Sequence, residues 1–196
     1  GTNHPGEIAL LGSLVEPTVG LITNIGRGHL EFFETIEGVA REKLDLFKCT
    51  RSNGLLIVNK DDNYLGAYSS SSHSFFTYSF QEKVTADVHG KFINLTDEGS
   101  GIWELNRKAT ITMQVTGRHN VQNALAASTV ALYLGIGETE IKEALEKYHP
   151  YDKRMQLIRN GNWTIINDSY NANPDSFIPA LETLLHMAEK QTCRKI

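Results

Sequence analysis

Four short stretches of this sequence combine residue types that could do chemistry. In Thr23-Asn24-Ile25-Gly26-Arg27-Gly28-His29, glycines allow the backbone to approach an anion or metal ion closely, and a histidine follows. The same spacing fits a tight turn ending on an ordinary surface histidine, and the residues alone leave both readings open. Lys43 poses a sharper question. At 100° per residue it falls among Ile36, Val39, Ala40 and Phe47, on the apolar stripe of a helix. An ammonium there must reach solvent along the helix edge, find a partner, or lose its proton. Reaching solvent is the simplest outcome. A deprotonated amine, by contrast, can take up carbon dioxide as a carbamate, an anionic oxygen ligand suited to Mg²⁺.

The third stretch is Gly117-Arg118-His119-Asn120 with Asn123. Its two asparagines, at i and i+3, share one face at a helix start, and carboxamides match the donor and acceptor edge of adenine. Helix capping accounts for Asn120 but less well for Asn123. The fourth is Asn167-Asp168-Ser169-Tyr170-Asn171-Ala172-Asn173-Pro174, running from a strand into a helix. Asn173 before Pro174 reads as a helix cap. Asp168, a carboxylate at a strand end facing a helix N-terminus, is placed to bind ribose hydroxyls.

The elements around these stretches follow from periodicity. A helix opens with Pro5 in its first turn and carries Ile8, Leu11 and Val15 at helical spacing. A strand over 18–23, a helix over 35–47 and a strand over 55–58 form a strand-helix-strand unit, which implies a parallel sheet with its ligand edge beyond the strand ends. Residues 69–72 read as an exposed loop, and short β-rich pieces at 75–80, 86–95, 102–105 and 109–115 as antiparallel hairpins added to that sheet. A helix over 120–134, with Val121, Leu125 and Leu132 beside Ala124 and Ala131, ends at Gly135. A shorter helix over 138–147 and a linker over 148–153 follow. Beyond them come strands over 155–158 and 163–167, a helix from Pro174, and room for a new strand near Arg194-Lys195-Ile196. The fold expectation is α/β: a mostly parallel sheet flanked by helices, with added antiparallel hairpins and the start of a second α/β domain.

Composition narrows the function. The 196 residues, 40% hydrophobic and 21% charged, are those of a soluble globular protein. No apolar run is long enough to cross a bilayer, and Gly1-Thr2-Asn3-His4 lacks the features of a signal peptide, so no membrane insertion is expected. A net charge of −4 without a Lys/Arg cluster argues against nucleic acid and for small-molecule partners. Cys49 and Cys193, far apart and outside any CxxC spacing, suggest neither disulfides nor zinc, and fit a cytoplasmic protein.

Taken together, the four stretches and Asn3-His4-Pro5-Gly6-Glu7-Ile8 resemble the Mur ligase family, in particular its branch that joins D-alanyl-D-alanine to UDP-N-acetylmuramoyl-tripeptide. Asn3 to Ile8 and Asp168 to Pro174 carry that branch; the Thr23 to His29 and Gly117 to Asn123 stretches are shared more widely in the family. The resemblance implies residues 1–150 as a central ATP-binding domain lacking its beginning and 151–196 as the start of a C-terminal domain. It implies His29 and a carbamylated Lys43 as magnesium ligands, which changes the balance for Lys43 in favour of the carbamate. It further implies Asn120 and Asn123 at adenine, Arg154 near the phosphates, Asp168 at the ribose with Asn171 on the nucleotide side, and Asn3 and His4 bordering the substrate. His29, Lys43 and Arg154 would act in catalysis. ATP and Mg²⁺ are the implied cofactors, and the parent enzyme is expected to be a monomer.

The family reaction moves the γ-phosphoryl of ATP to the tripeptide carboxylate, and an amine then displaces phosphate from the acyl phosphate. Yet no Gly-x-x-x-x-Gly-Lys-Ser/Thr string occurs in the chain, so a fragment inactive alone is expected. A folylpolyglutamate synthase-like ligase and a non-catalytic nucleotide- or metal-binding module are the alternatives.

Overall fold

The computed structural model describes residues 1–171 and 174–191. Asn173, Cys193 and the strand expected near Arg194 lie outside the described residues. The chain divides into two compact units, Gly1–His89 and Gly90–Ile196.

In the first unit, β1 (Val19–Ile22), β2 (Leu55–Asn59) and β3 (Ser74–Ser79) lie parallel, in register Val19↔Leu55 and Leu55↔Ser74. Leu55, Leu56, Ile57 and Val58 are all buried, as expected of a central parallel strand covered on both faces. Between β1 and β2 run α2 (Leu30–Phe33) and α3 (Ile36–Cys49). Thr35 caps α3 by accepting the Gly38 N–H, with Glu37 in the first turn and Lys48 in the last, each on the side the helix dipole favours. Val39, Ala40 and Phe47 of α3 pack with Ile22, Leu56 and Val58.

Two expectations are corrected here. The β-rich run does not begin as a hairpin: β3 is parallel to β2, and the first residues of β4 (Val88–Leu95) are parallel to β3, in register Tyr78↔Val88. The β2–β3 connection contains α4 (Asn63–Gly66), whose four residues are too short to show a helical period in sequence. Helix α1 (Glu7–Val15) begins after Pro5, expected in its first turn, and of Ile8, Leu11 and Val15, at helical spacing as expected, none is buried. Gly12 is the buried residue, because its missing Cβ admits Cys49, whereas Leu11 is 46% and Leu14 74% exposed.

In the second unit, β4 from Gly90, β5 (Ser100–Leu105) and β6 (Ala109–Thr116) are antiparallel, as expected for the later hairpins. Strict alternation along β6 buries Ala109, Ile111, Met113 and Val115. The hydrogen-bonded order of the six strands is β1-β2-β3-β4-β5-β6. Helix α5 (Arg118–Tyr133) buries Val121, Ala124 and Leu125 as expected, together with Ser128 and Thr129, whose hydroxyls bond to the Ala124 and Leu125 carbonyls. Gly135, at φ 84°, follows its end. After α6 (Glu138–Lys147), β7 (Gln156–Asn160) and β8 (Trp163–Asn167) form a hairpin through Gly161, and α7 (Pro174–Gln191) follows. Among the described residues no helix is long and apolar enough to cross a membrane.

Candidate functional site

In the first unit the loop leaving β1 is anchored at Thr23, Asn24 and Ile25. The Thr23 carbonyl accepts Asn59 Nδ2 at 2.9 Å and the Tyr78 hydroxyl at 3.4 Å, the Asn24 carbonyl accepts Lys43 Nζ at 2.9 Å, and the Ile25 N–H donates to Asp62 Oδ2 at 2.7 Å. Asp62 Oδ1 also accepts the Tyr64 and Leu65 N–H groups, capping α4. Lys43 reaches in from α3; Asn59, Asp62 and Tyr78 come from the carboxyl ends of β2 and β3, the edge where parallel sheets bind ligands.

Of the courses open to Lys43, the structure shows it half-buried and partnered by a carbonyl. Burial pushes its pKa below the ordinary lysine value, and the Asp62 carboxylate pulls it back. Burial also raises the Tyr78 phenol, reinforced by Asp61 and Asp62. His29 is exposed at φ 56°, and its carbonyl accepts the Phe32 and Phe33 N–H groups, so the backbone around it is fixed by α2.

Asn3 and His4 lie by the same helix. The His4 ring packs on Phe32 with centroids 4.3 Å apart. Their backbone N–H groups both donate to Glu7 Oε2, at 2.6 and 3.1 Å. Those bonds, Asn3's foremost, lower the Glu7 carboxyl to about 2. Beneath the turn, Glu42 is only 5% exposed and accepts Thr2 Oγ1, the Gly6 N–H and the Ile8 N–H at 2.7 to 3.0 Å, so a charged residue of α3 caps α1. Thus His29, Lys43 and the Asn3-His4 turn share one neighbourhood of the first unit. Among the described residues no group of three or more His, Cys, Asp or Glu side chains is set to hold a metal. A magnesium ion, which prefers oxygen ligands, fits His29 and Lys43 only if the lysine carries an anionic oxygen.

In the second unit, Gly117 at φ 92° starts α5. Asn120 does not cap this helix, since its Nδ2 donates back to the Thr116 carbonyl at 2.8 Å, leaving Oδ1 and one amide proton for other partners. Asn123 is exposed three residues on. The His119 ring lies over Gly117, where a Cβ would come within 2.6 Å of it. Burial lowers the His119 pKa, Asp168 opposes the shift, and the buried Nδ1 has no hydrogen-bond partner.

Arg154 and Asp168 are brought together. Asp168 Oδ1 accepts the Met155 N–H at 3.1 Å, the Tyr170 N–H donates to the Lys153 carbonyl at 3.0 Å, and the Arg154 guanidinium lies 4.0 Å from the centre of the Tyr170 ring. Asn171 is exposed beyond them.

Asn59, Asp62, Glu42, Glu7, His119 and Tyr170 were not singled out by residue type. Asn59 and Asp62 could have been, since they follow β2 as Thr23 to His29 follows β1. Glu42 gave no signal, because a glutamate beside the apolar stripe reads as solvated.

The profile of the Mur ligase middle domain matches residues 1–131. The chain is 35% identical over 187 residues to the UDP-N-acetylmuramoyl-tripeptide--D-alanyl-D-alanine ligase of Buchnera aphidicola, covering 94% of this chain and 41% of that protein. Among solved structures, MurF from Acinetobacter baumannii superposes with a TM-score of 0.85 at 32% identity, covering 95% of this chain and 41% of that one. MurF from Thermotoga maritima in complex with ADP gives 0.79 at 25% identity, covering 94% and 43%. The chain therefore spans about two fifths of the length of the relatives it matches, and it belongs to the Mur ligase family.

Proposed function

We propose that this chain is part of an ATP-dependent amide ligase that adds D-alanyl-D-alanine to UDP-N-acetylmuramoyl-tripeptide in peptidoglycan precursor synthesis. The observation that carries the reading is the bend that sets Arg154 beside the Asp168–Tyr170 segment, with the Met155 N–H on Asp168 and the Arg154 guanidinium on the Tyr170 ring, in a chain whose relatives bear that name, one of them solved with ADP. Residues 1–150 are read as the central domain and 151–196 as the beginning of the C-terminal one. The parent enzyme is read as a cytoplasmic monomer.

In this reading the tripeptide carboxylate oxygen attacks the γ-phosphorus of ATP and ADP leaves. The amine of D-alanyl-D-alanine then adds to the acyl phosphate carbonyl, and phosphate departs as the amide forms. Arg154 offsets negative charge on the phosphates, the main demand of phosphoryl transfer. Asn120, through its free Oδ1 and proton, and Asn123 face adenine; Asp168 takes the ribose through its second oxygen, with Asn171 beside it. Asn3 and His4, fixed by Glu7, border the substrate. Magnesium would be held by His29 and a carbamate on Lys43, and would supply charge neutralisation. The depressed Lys43 pKa supports the carbamate, because only the neutral amine reacts with carbon dioxide.

The test is phosphate release and product mass with UDP-tripeptide, D-alanyl-D-alanine, magnesium and bicarbonate, comparing this chain with a longer polypeptide that contains it and a phosphate loop. Release and pentapeptide product from the longer polypeptide alone support the reading. Ligation by this chain alone overturns its expected inactivity; no ligation by either replaces the ligase with a binding module.

A further inference from the structure

The linker residues Lys153, Arg154 and Met155 are gripped by the residues that follow β8. Lys153 and Met155 both adopt positive φ, at 64° and 50°, so the chain bends sharply on either side of Arg154. The bend is tied down by the Lys153 carbonyl on the Tyr170 N–H and the Met155 N–H on Asp168. Met155 is 2% exposed, and its carbonyl accepts Thr116 Oγ1 at 3.0 Å. The backbone of Arg154 is therefore fixed, and its side chain would keep full rotamer freedom were it not for the Tyr170 ring. Stacking engages the face of a guanidinium and leaves its N–H donors, which lie in the plane, free for an oxyanion. Among the described residues no carboxylate accepts those donors.

We propose that Tyr170 is a positioning residue whose ring holds the Arg154 guanidinium edge-on to the phosphate oxygens of a nucleotide. The proposal rests on the reading of Arg154 as the phosphate-binding arginine and adds what sets its pose. The ring is 64% exposed, so no core depends on it, and its replacement leaves the fold in place. A lysine at 154 could not use the same device, since its ammonium has no plane of donors.

Two measurements test this. In the isolated chain, the Arg154 Nε–H resonance should sit upfield through the Tyr170 ring current, keep that shift in Tyr170→Phe and lose it in Tyr170→Leu, the remaining spectrum being preserved. In the longer, active polypeptide, Tyr170→Leu should raise KM for ATP roughly two- to fivefold, the range of an exposed cation–π contact. Tyr170→Phe should restore most of that loss. Arg154→Ala should cost more, and adding Tyr170→Leu to it should cost nothing further. If Arg154→Ala weakens ATP use but Tyr170→Leu does not, or if Phe fails to rescue, the positioning role is overturned while the phosphate reading stands. If Arg154→Ala changes nothing, the phosphate reading fails and takes this inference with it.

Discussion

Asp62 Oδ2 accepts the Ile25 N–H at 2.7 Å, tying the loop after β1 to the loop after β2. Because Oδ1 of the same carboxylate caps α4, one side chain sets both loops on the ligand edge of the parallel strands. Asp62→Ala removes the cap and the tie together. A lost cap alone costs roughly 0.5–2 kcal/mol. We expect a fall in the urea midpoint and faster amide exchange at Ile25, Tyr64 and Leu65, with exchange in α6 changed only by the global loss. Unchanged exchange at Ile25 would show that the tie does not hold the loop.

Lys43 makes the next prediction. Its bond to the Asn24 carbonyl is a donor function, and a carbamate nitrogen still has one N–H to donate. Supplying ¹³C-bicarbonate to the native chain should therefore give a carbamate carbon resonance that is absent from Lys43→Arg, whose guanidinium cannot be deprotonated. The signal should strengthen as pH rises, because burial lowers the lysine pKa and the neutral fraction grows toward and beyond that depressed value. A bicarbonate-dependent signal of equal size in Lys43→Arg would assign the reaction to another amine.

Glycines separate steric need from open space. A Cβ on Gly38 would stand 2.1 Å from the Phe33 carbonyl oxygen, which is backbone and cannot swing away, whereas a Cβ on Gly28 meets nothing within 4 Å. Gly38→Ala should destabilise by about 1–3 kcal/mol through overpacking. Gly28→Ala should stay within about 0.5 kcal/mol of the native chain. Thermal melts of the pair decide it, and equal melting temperatures would contradict the geometry.

How far the sequence could be read follows from what each residue's signal depends on. The β1-α3-β2 unit was legible because its periods, 2 or continuous for strands and 3.6 for the helix, are local properties. So was Lys43, a charge on an apolar stripe. The direction of β3 was not, since it depends on α4, a single turn with no period of its own. Which face of α1 is buried was not legible either, because Gly12, not the leucines, makes the close approach to Cys49. Asp168 and Arg154 were named singly, but their link through Met155 needs two positive-φ residues that no composition rule places there. Glu42 was invisible for the reason that makes it useful: two of its partners are backbone N–H groups 34 and 36 residues away, which leave no side-chain pattern.

That carboxylate gives a stability prediction. Glu42→Ala leaves the Gly6 and Ile8 N–H groups without their acceptor, while Thr2 Oγ1 keeps the His4 carbonyl. With charge-assisted bonds at roughly 1.5–3 kcal/mol each, and water replacing part of the loss, a cost of roughly 2–4 kcal/mol is expected. Glu42→Gln, which keeps one acceptor oxygen, should fall between. Urea unfolding measures both, and equal midpoints for Ala and the native chain would mean that α1 does not depend on this cap.

Glu7 carries the pH dependence. Its folded carboxyl is lowered from 4.5 to about 2, chiefly by the Asn3 N–H and then by the His4 N–H. A depressed carboxyl contributes stability that is fully present above the unfolded value and is lost as pH falls through the folded one. The Asn3-His4 turn should therefore hold at neutral pH, begin to weaken below 4.5, and be released near 2. The amide shifts of Asn3 and His4, followed by NMR from pH 6 downward, should inflect near the lower value in the native chain and show no such inflection in Glu7→Gln. An inflection near 4.5 in the native chain would mean that the carboxylate is not held by these N–H groups, and the turn that presents Asn3 and His4 would need another support.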